Sequence, residues 1–538
     1  MPRRDASCIT RFSRSGLASL LLCACNSPAA SRDAGVDAGP LPSCELGELC
    51  IFVDASRPDH LISPLLFGDW LEWTDGDLSN GAGDGIWDQA ANAPRADIVA
   101  TLQPVGLSLI RYPGGTLSDF FLWNQAVGPD SARVPQVYPF GADAGTTYLP
   151  YFGPDEVAQV TSSLGAQLLV TANIVTGKAQ DAADWLGHYA DAGVRASYWE
   201  IGNENYIPSG SWAQNEGYRS PAQYAALFDQ FAQALRAVDP TVHVGLLGCP
   251  SCPGWDQGVL QAITQPADFM AIHNGYAPYA AYTSDTNSAL QALLAGPIAT
   301  RGSFDATEGD LTQYGGPNAG IALAETEWGA AFVPTGAATD VPWAALNRSL
   351  AGALYGALIY DLFFADPQIA IANHTNAISP LWQAEVTLAA SDGISNPTVS
   401  AFGHAFRLYA DAAGGQDVPV QLHGAPTYAT AGLGFVPPLL DVPELDAAAV
   451  IAAAADRLWI YVVNRSLDDD LTARVIALGF PTAALRSVTS EVLNGATPTA
   501  ADDPTTPTAV SVTTTMLTVG RSLEVTFPAH SLTRLTFQ

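Results

Sequence analysis

The strongest constraint on the fold is an alternation of short apolar segments with helical segments between about residues 60 and 390. The apolar segments are bounded by turn residues, and they predict eight strands: Leu65–Trp73, Leu107–Tyr112, Gln167–Asn173, Ser197–Ile201, Val242–Gly248, Phe269–His273, Ile321–Glu327 and Gln368–Ile378. Eight strands that alternate with helices predict an α/β fold of the (β/α)8 TIM-barrel type. The alternative is an open doubly wound sheet, but no glycine-rich phosphate loop follows the first strand.

The clearest helix is predicted over Ser220–Val238. Ser220 is a favourable N-cap residue, and Pro221 suits the first helical position. Large apolar residues then recur at spacings of three and four. Asp239-Pro240 ends the helix, because proline disfavours helical geometry in the residue before it.

The pattern changes after about residue 395. Leu458–Val463 and the Thr- and Val-rich segments that follow predict short strands separated by Pro, Asp and Gly. Such strands are typical of an antiparallel β-sandwich. The predicted organisation is then a lipoprotein-type signal peptide at 1–25, a flexible Ala/Gly/Pro/Asp-rich tether at 26–43, an N-terminal strand segment at 44–58, the barrel at 59–394 and the sandwich at 395–538.

Composition excludes several classes of function. The chain has 538 residues, of which 48% are hydrophobic and 14% charged, so it can bury a large core and is not disordered as a whole. Lys and Arg number 22 against 53 Asp and Glu, which gives a net charge of −31. A surface this acidic repels nucleic acid and anionic lipid. The apolar stretches are too short to span a bilayer.

Residues 1–25 predict an export signal. Four arginines precede the apolar run Gly16–Ala24, and Leu22–Cys25 resembles a bacterial lipobox in which Cys25 is the lipidated residue. The alternative is an ordinary secretory signal that is cleaved nearby. In either case we expect an exported protein, located in the cell envelope as a lipoprotein or secreted.

Four cysteines remain beyond the signal: Cys44, Cys50, Cys249 and Cys252. An even number in an oxidising compartment indicates two disulfides, and proximity in sequence favours Cys44–Cys50 and Cys249–Cys252. The alternatives are a redox site at the Cys249–Cys252 spacing and a zinc site formed by all four.

Two of the predicted strands end in glutamates. Catalytic groups of (β/α)8 barrels lie at the carboxyl ends of the strands. The fourth strand ends in Gly202-Asn203-Glu204 and the seventh in Glu327-Trp328. Glycosidic bond cleavage needs one protonated carboxyl group for the leaving oxygen and one ionised carboxylate for the anomeric carbon. Glu204 and Glu327 are therefore candidate catalytic residues, against the alternative that each is a solvated loop residue.

Several motifs resemble those of glycoside hydrolase family 51, the α-L-arabinofuranosidases. They follow one another in chain order between about residues 50 and 535: Arg111–Gly115, Trp123, Gly128-Pro129, Gly202–Glu204, Ala237–Pro240, Glu327-Trp328 and Ile460–Ser466. The resemblance implies a retaining exo-glycosidase built from a barrel and a β-sandwich. It also implies that Cys50–Ala55 joins the sandwich as an early strand.

The resemblance implies roles by position. Glu204 matches the general acid/base and Glu327 the nucleophile. Asn203 matches a residue that binds the hydroxyl beside the anomeric carbon, and Arg111 a cation that keeps the nucleophile ionised. The further substrate-binding positions that it implies are Glu72, His273, Tyr276, Trp328 and Asn373. Structural alternatives stay open: an ion pair for Arg111, a hydrogen-bonded structural role for Glu72 and His273, and core packing for Trp73, Trp123 and Trp328.

Three positions depart from the family pattern. Thr116 stands where Asn is usual, Asn373 replaces Gln, and Gly275 occupies the expected place of a tyrosine that comes one residue later as Tyr276. These positions touch the sugar rather than the bond that is cleaved. The departures leave the sugar preference open.

The sequence therefore predicts an exported retaining glycoside hydrolase, an α-L-arabinofuranosidase that acts on arabinose-containing side chains. Two alternatives stay open: a β-glycanase or other exo-glycosidase on the same barrel, and a non-catalytic carbohydrate-binding protein at the cell surface. The eight histidines show no ligand spacing, so we expect no metal and no organic cofactor. The expected partner is a carbohydrate substrate, with membrane contact only through a lipid anchor.

Overall fold

A computed structural model describes residues 44, 47–74, 82–139, 144–208, 216–282, 285–334, 341–389, 395–480, 486–520 and 522–538. The predicted signal peptide with Cys25, and the predicted tether, lie outside these residues. Within the described part of the chain, every helix is too short or too polar to cross a membrane.

Eight parallel strands close into a barrel, as the alternating pattern predicts. They are Gly68–Trp70, Leu109–Tyr112, Gln167–Ala172, Tyr198–Ile201, His243–Leu247, Phe269–Ile272, Ala322–Phe332 and Ile369–His374. The ring closes because the eighth strand pairs with the first and the sixth pairs directly with the seventh. Each strand overlaps its predicted segment, and the predicted (β/α)8 barrel is confirmed.

One strand beside the barrel was not predicted. Gly275–Ala280 follows the sixth barrel strand and pairs in parallel with the far end of Ala322–Phe332. A Cβ at Gly275 would overlap the Trp328 side chain, so glycine permits this close approach. The extra strand extends the barrel wall above the mouth and carries Tyr276.

Helices cover the outside of the barrel. They are Ala96–Leu102, Pro154–Leu164, Ala179–Asp191, Pro221–Val238, Trp255–Ala262, Thr286–Tyr314, Trp343–Asn347, Leu350–Phe364 and Ala401–Ala410. The predicted helix start is confirmed, because the Ser220 hydroxyl accepts a hydrogen bond from the Gln223 amide and Pro221 opens the helix. Short 3-10 turns lie at Pro64–Leu66, Ala82–Gly85, Gln103–Val105, Thr116–Phe120, Trp123–Gln125, Asp130–Ala132 and Gly316–Asn318.

Two mainly antiparallel sheets form the sandwich. One contains, in spatial order, Val420–His423, Cys50–Asp54, Leu471–Leu478 and Ser522–Phe527. The other contains Gln416–Asp417, Leu445–Ile451, Leu458–Asn464, Ser531–Phe537, Val488–Gly495 and Val510–Leu517. Two-stranded pairs elsewhere join Trp87–Asp88 to Ala93–Pro94, Gln136–Val137 to Thr147–Tyr148, Val386–Thr387 to Thr398–Val399 and Thr427–Thr430 to Leu439–Pro443.

Leu458–Asn464 is apolar along its length because both of its faces are buried. Ile460 and Val462 point into the core between the two sheets, whereas Tyr461 and Val463 pack on the barrel side. The Tyr461 ring stacks on Tyr409 of Ala401–Ala410, with 4.3 Å between ring centroids. Successive side chains of a strand point to opposite faces, so one strand serves both cores.

Both disulfides join the cysteines that are closest in sequence. Cys44 is bonded to Cys50 with 6.3 Å between their Cα atoms, and Cys249 is bonded to Cys252 with 5.2 Å between theirs. The first bond fastens the chain at the start of the sandwich strand Cys50–Asp54. The second closes a tight turn after the fifth barrel strand.

Gly245 tests the packing of the barrel core. A Cβ at this position would overlap the buried Phe269 ring of the neighbouring strand. We expect Gly245→Ala to lower the free energy of unfolding by about 1–3 kcal/mol, the usual cost of overpacking. Gly187→Ala is the matched control, because a Cβ there meets nothing within 4 Å in a helix. Chemical unfolding of both variants checks this, and equal stabilities would contradict it.

Candidate active site

Arg111 lies at the centre of the barrel mouth and none of its side chain is exposed. Its Nη1 donates to Glu327 Oε1 at 2.9 Å, and its Nη2 donates to Asn203 Oδ1 at 2.7 Å. Arg111 and Asn203 come from the ends of the second and fourth strands, which adjoin because parallel strands end on the same side of a barrel. Glu327 lies within the long seventh strand, next to Trp328, which pairs with the end of the eighth strand. The guanidinium therefore joins three of the residues predicted from sequence.

Glu200 is a site residue that the sequence reasoning missed. It receives Arg111 Nε at 2.7 Å and Arg111 Nη2 at 3.2 Å, and it is fully buried. The available signal was a charged residue inside the apolar strand Tyr198–Ile201. A carboxylate in such a strand needs a buried cation, and Arg111 on the second strand is that cation.

His273 links the two halves of the site. Its Nδ1 lies 3.2 Å from Glu204 Oε1, and its Nε2 lies 3.0 Å from Thr326 Oγ1. The Thr326 hydroxyl donates its own hydrogen to Glu200 Oε1, so it accepts from His273 Nε2. Nδ1 in turn donates to Glu204 Oε1, so both ring nitrogens carry hydrogen and His273 is an imidazolium, in line with its raised pKa.

Glu204 and Glu327 face each other across this imidazolium. One oxygen of each carboxylate lies within 4.8 Å of the other and of His273. Glu204 follows Gly202-Asn203 with a φ of 50°, a left-handed conformation that is uncommon for glutamate and occurs at functional turns. The spacing alone would also suit a cation, but an imidazolium has no free lone pair for one.

Tyr276 reaches the site from the additional strand. Its hydroxyl donates to Glu327 Oε2 at 3.0 Å and lies 3.0 Å from the Thr375 hydroxyl, which can donate to it in turn. Both oxygens of Glu327 are therefore bound, one by Arg111 and one by Tyr276.

Asn203 keeps a hydrogen-bond donor free. Arg111 holds its Oδ1, and its Nδ2 is buried without a hydrogen-bond partner among the described residues. Acceptance by Oδ1 fixes the orientation of the amide, so Nδ2 is the group left for a ligand. The pattern matches the hydroxyl-binding role implied by the family resemblance.

Glu72 lies at the same mouth, beside the turn Gly114-Gly115. Its Cγ would lie 3.2 Å from a Cβ on Gly114, and a Cβ on Gly115 would lie 2.7 Å from Glu327 Oε1. Gly114 also has a φ of 122°, which disfavours other residues. Two glycines therefore let the chain pass between Glu72 and Glu327.

Of two further predicted substrate contacts, Trp328 lies behind the site and Asn373 lies in the barrel wall beside it. Trp328 is fully buried and packs edge-on against Tyr360, Phe363 and Phe402. Asn373 is fully buried and donates to the Asp69 carbonyl at 3.0 Å, which ties the eighth strand to the first. Trp328 pairs with His374, and both side chains point away from the barrel interior. Asn373 comes one residue before His374 and pairs with Gly68, so it lies on the interior face with Arg111, and its contact with substrate stays a prediction.

Two further tryptophans are structural. Trp73 is buried and packs against Phe121 at 5.8 Å between ring centroids. Trp123 stacks on Trp185 at 6.0 Å and donates its indole N–H to the Asp181 carbonyl. Core packing, the alternative that the sequence left open, therefore accounts for both.

The electrostatics assign charges to these groups. Burial disfavours the charged forms of both Glu200 and His273, but neighbouring charges outweigh it. Arg111 and His273 lower the pKa of Glu200 to about 2. Glu327 and the other carboxylates raise the pKa of His273 to about 10. The pKa of Glu327 is raised above its ordinary value by burial and by Glu204, and the charges of His273 and Arg111 limit this shift. The site thus contains two cations that stabilise an ionised Glu327.

Known proteins resemble this chain over part of its length. A probable α-L-arabinofuranosidase C of Aspergillus fumigatus is 26% identical over 238 residues, covering 40% of this chain and 45% of that protein. An exo-α-(1→6)-L-arabinofuranosidase of Bifidobacterium longum is 26% identical over 263 residues, covering 44% and 48%. The chain thus spans less than half the length of these curated relatives. No family model matches it.

Solved structures match almost the whole chain. The family 51 α-L-arabinofuranosidase of Thermotoga petrophila RKU-1 superposes with a TM-score of 0.75 at 21% identity, covering 91% of this chain and all of that one. At this identity the match establishes the fold. The resemblance to glycoside hydrolase family 51 is therefore confirmed as a likeness of sequence motifs and of the barrel-plus-sandwich fold.

Proposed function

We propose that this protein is a retaining α-L-arabinofuranosidase that removes terminal arabinofuranosyl units from saccharides with Glu204 and Glu327. The observation that carries the proposal is the distance within 4.8 Å between carboxylate oxygens of these two residues. Retaining glycosidases hold their two carboxyl groups about 5–5.5 Å apart, and inverting ones about 6.5–9.5 Å apart. The observed spacing favours direct attack over attack by a water held between the carboxylates.

The proposed reaction has two steps. Glu327 attacks the anomeric carbon and forms a glycosyl–enzyme bond as the bond to the leaving oxygen breaks, and Glu204 gives its proton to that oxygen. Glu204 then removes a proton from water, the water oxygen bonds to the anomeric carbon, and Glu327 leaves as a carboxylate. Arg111 and Tyr276 hold Glu327 for attack, and His273 orients Glu204.

Substrate recognition is proposed for Asn203 and Glu72. The free Nδ2 of Asn203 is a donor beside Glu204 for a hydroxyl next to the anomeric carbon. Glu72 stands across the Gly114-Gly115 turn and presents a carboxylate to sugar hydroxyls. We propose arabinofuranose as the sugar because the chain is similar to the α-L-arabinofuranosidases of Aspergillus fumigatus and Bifidobacterium longum.

A panel of aryl glycosides can distinguish the proposed function from two alternatives. A β-glycanase or other exo-glycosidase on the same barrel would use the same glutamates on a different sugar. A non-catalytic carbohydrate-binding protein would bind without turnover, but the paired, oriented glutamates favour catalysis. We expect a panel of aryl glycosides to give turnover with the α-L-arabinofuranoside above all others. Turnover confined to a β-glucoside or β-xyloside would favour the first alternative, and none at all the second.

Variants of the two glutamates should give azide products of different configuration. We expect Glu204→Ala and Glu327→Ala each to lower turnover of a natural linkage by about a thousandfold or more. Added azide should give a product of retained configuration with Glu204→Ala, because the nucleophile remains. It should give an inverted product with Glu327→Ala, because azide takes the place of the nucleophile.

The control for this pair is Glu524→Ala, whose exposed side chain lies on the sandwich. It should retain the activity of the unaltered protein. An inverted azide product with Glu204→Ala and a retained one with Glu327→Ala, identified by NMR, would reverse the assigned roles. Near-normal turnover in Glu327→Ala would remove this residue from the mechanism.

Glu200 is proposed as a positioning residue that acts through Arg111. Folding lowers the pKa of the Glu200 carboxylate from 4.5 to about 2. The ionised carboxylate therefore stabilises the folded state fully above pH 4.5, and this stabilisation is lost as the pH falls toward about 2. At pH 7 we expect Glu200→Gln to reduce the free energy of unfolding by about 3–5 kcal/mol, the cost of breaking a buried ion pair. The difference from the unaltered protein should narrow below pH 4.5, and turnover at pH 7 should fall.

The matched control is Glu156→Gln, which breaks another buried pair, Arg133 Nη2–Glu156 Oε1 at 2.6 Å. It should destabilise the fold while the folded protein keeps its turnover. Chemical unfolding between pH 2 and 7, with kinetics on the folded variants, checks both. Equal effects of the two variants on turnover would contradict a positioning role for Glu200.

We also propose that the protein is exported and anchored through Cys25. The arginine-rich start, the apolar run and the lipobox-like Leu22–Cys25 support this, as do two disulfides, which persist in oxidising compartments. In a bacterial host we expect the full chain in the membrane fraction and the Cys25→Ala variant released from it. Full-length protein in the cytoplasm would contradict export, and identical fractionation of both would contradict the anchor.

A further inference from the structure

A second cluster of ionisable groups lies between the first and eighth barrel strands, apart from the catalytic glutamates. Asp69 comes from the first strand, His374 ends the eighth, and Glu385 precedes the strand Val386–Thr387. All three side chains have no exposed surface. His374 Nδ1 lies 3.4 Å from Glu385 Oε1 and 3.7 Å from Asp69 Oδ2.

The contact with Gln383 determines which ring nitrogen of His374 carries hydrogen. Gln383 donates its Nε2 to the Gly352 carbonyl at 2.6 Å, so its Oε1 is the acceptor end of the amide. That oxygen receives the Ala330 N–H at 2.6 Å and faces His374 Nε2 at 3.1 Å. His374 Nε2 therefore carries hydrogen, and Nδ1 can present a lone pair toward the two carboxylates.

Four polar atoms of this cluster have no hydrogen-bond partner among the described residues. They are Asp69 Oδ2, both oxygens of Glu385 and His374 Nδ1. Unpaired buried carboxylates are costly, because the protein interior solvates charge poorly. The catalytic cluster differs in this respect, since Glu327 is bonded by Arg111 and Tyr276.

We propose that Asp69, His374 and Glu385 bind a divalent cation of the zinc type between the barrel wall and the helices that cover it. Ligands in a tetrahedral zinc site, about 2.0–2.1 Å from the metal, lie roughly 3.4 Å apart, close to the spacings around His374 Nδ1. Two carboxylates balance the charge of the ion, and the second Glu385 oxygen is available as a fourth donor. The Nε2–H bond to Gln383 is the outer contact that a metal-bound histidine makes.

The cation would stabilise the wall of the catalytic site without touching substrate. Asp69 precedes Trp70, whose ring packs against the Arg111 guanidinium at 5.6 Å. His374 precedes Thr375, whose hydroxyl lies 3.0 Å from that of Tyr276. Fixing Asp69 and His374 to one ion therefore fixes two neighbours of the groups that hold Glu327. The inference does not depend on which sugar the protein cleaves.

The test uses the full chain produced with zinc in the growth medium. We expect elemental analysis to find about one zinc per chain after dialysis. His374→Leu and Glu385→Gln should each reduce the content to less than about a tenth of that value. Glu204→Gln is the control, because it alters the other group of ligand-like atoms, and it should keep the metal.

Thermal unfolding gives an independent readout that needs no variant. A chelator should lower the midpoint of the unaltered protein, and added Zn²⁺ should restore it, because an ion bound only by the folded state stabilises it. A protein that is free of metal and indifferent to both additions would overturn the proposal in favour of a proton shared between Asp69 and Glu385. Loss of zinc in Glu204→Gln but not in Glu385→Gln would place the ion in the catalytic cluster and would also overturn it.

Discussion

The guanidinium of Arg111 lies inside the barrel with none of its surface exposed, and it donates to Glu200, Asn203 and Glu327. A buried cation requires nearby negative charge, and buried carboxylates require a cation. Each group therefore offsets the free-energy cost of burying the others. His273 adds a second positive charge between Glu204 and Glu327. The position of the buried candidate nucleophile thus follows from charge balance in a place that water hardly reaches.

The same physical argument separates the two ionisable clusters. In the catalytic cluster, cations and hydroxyls occupy the carboxylate oxygens of Glu327 and Glu200. In the second cluster, two carboxylates face a single histidine. Asp69 Oδ1 receives the Trp70 N–H, but Asp69 Oδ2 and both oxygens of Glu385 lack hydrogen-bond donors among the described residues. A missing positive charge is the simplest account of that difference. The histidines differ as well, because His273 Nδ1 is hydrogen-bonded to Glu204, whereas His374 Nδ1 faces Glu385 and Asp69 at 3.4 and 3.7 Å without a hydrogen bond.

Local sequence predicted the elements well where periodicity and end signals agreed. Ser220 and Pro221 marked a helix start, and the eight apolar runs marked the barrel strands. The local sequence did not predict whether a given tryptophan or glutamate lies in the core or in the site. Trp328 follows a catalytic glutamate in sequence and yet lies in the core, and Glu200 lies inside an apolar strand and yet belongs to the site. Both cases depend on which face of a strand looks into the barrel.

The sequence by itself determined the barrel, the sandwich and the glutamates of the fourth and seventh strands, and it favoured the disulfide pairs, because these depend on local periodicity, short separations and strand direction. Only the tertiary structure decided which side chains surround those glutamates. Arg111 and Glu327 are far apart in the chain, as are Asp69 and His374, and no spacing rule relates them. Closure of the barrel brings the first strand beside the eighth, and that contact exists only once all of the strands are in place.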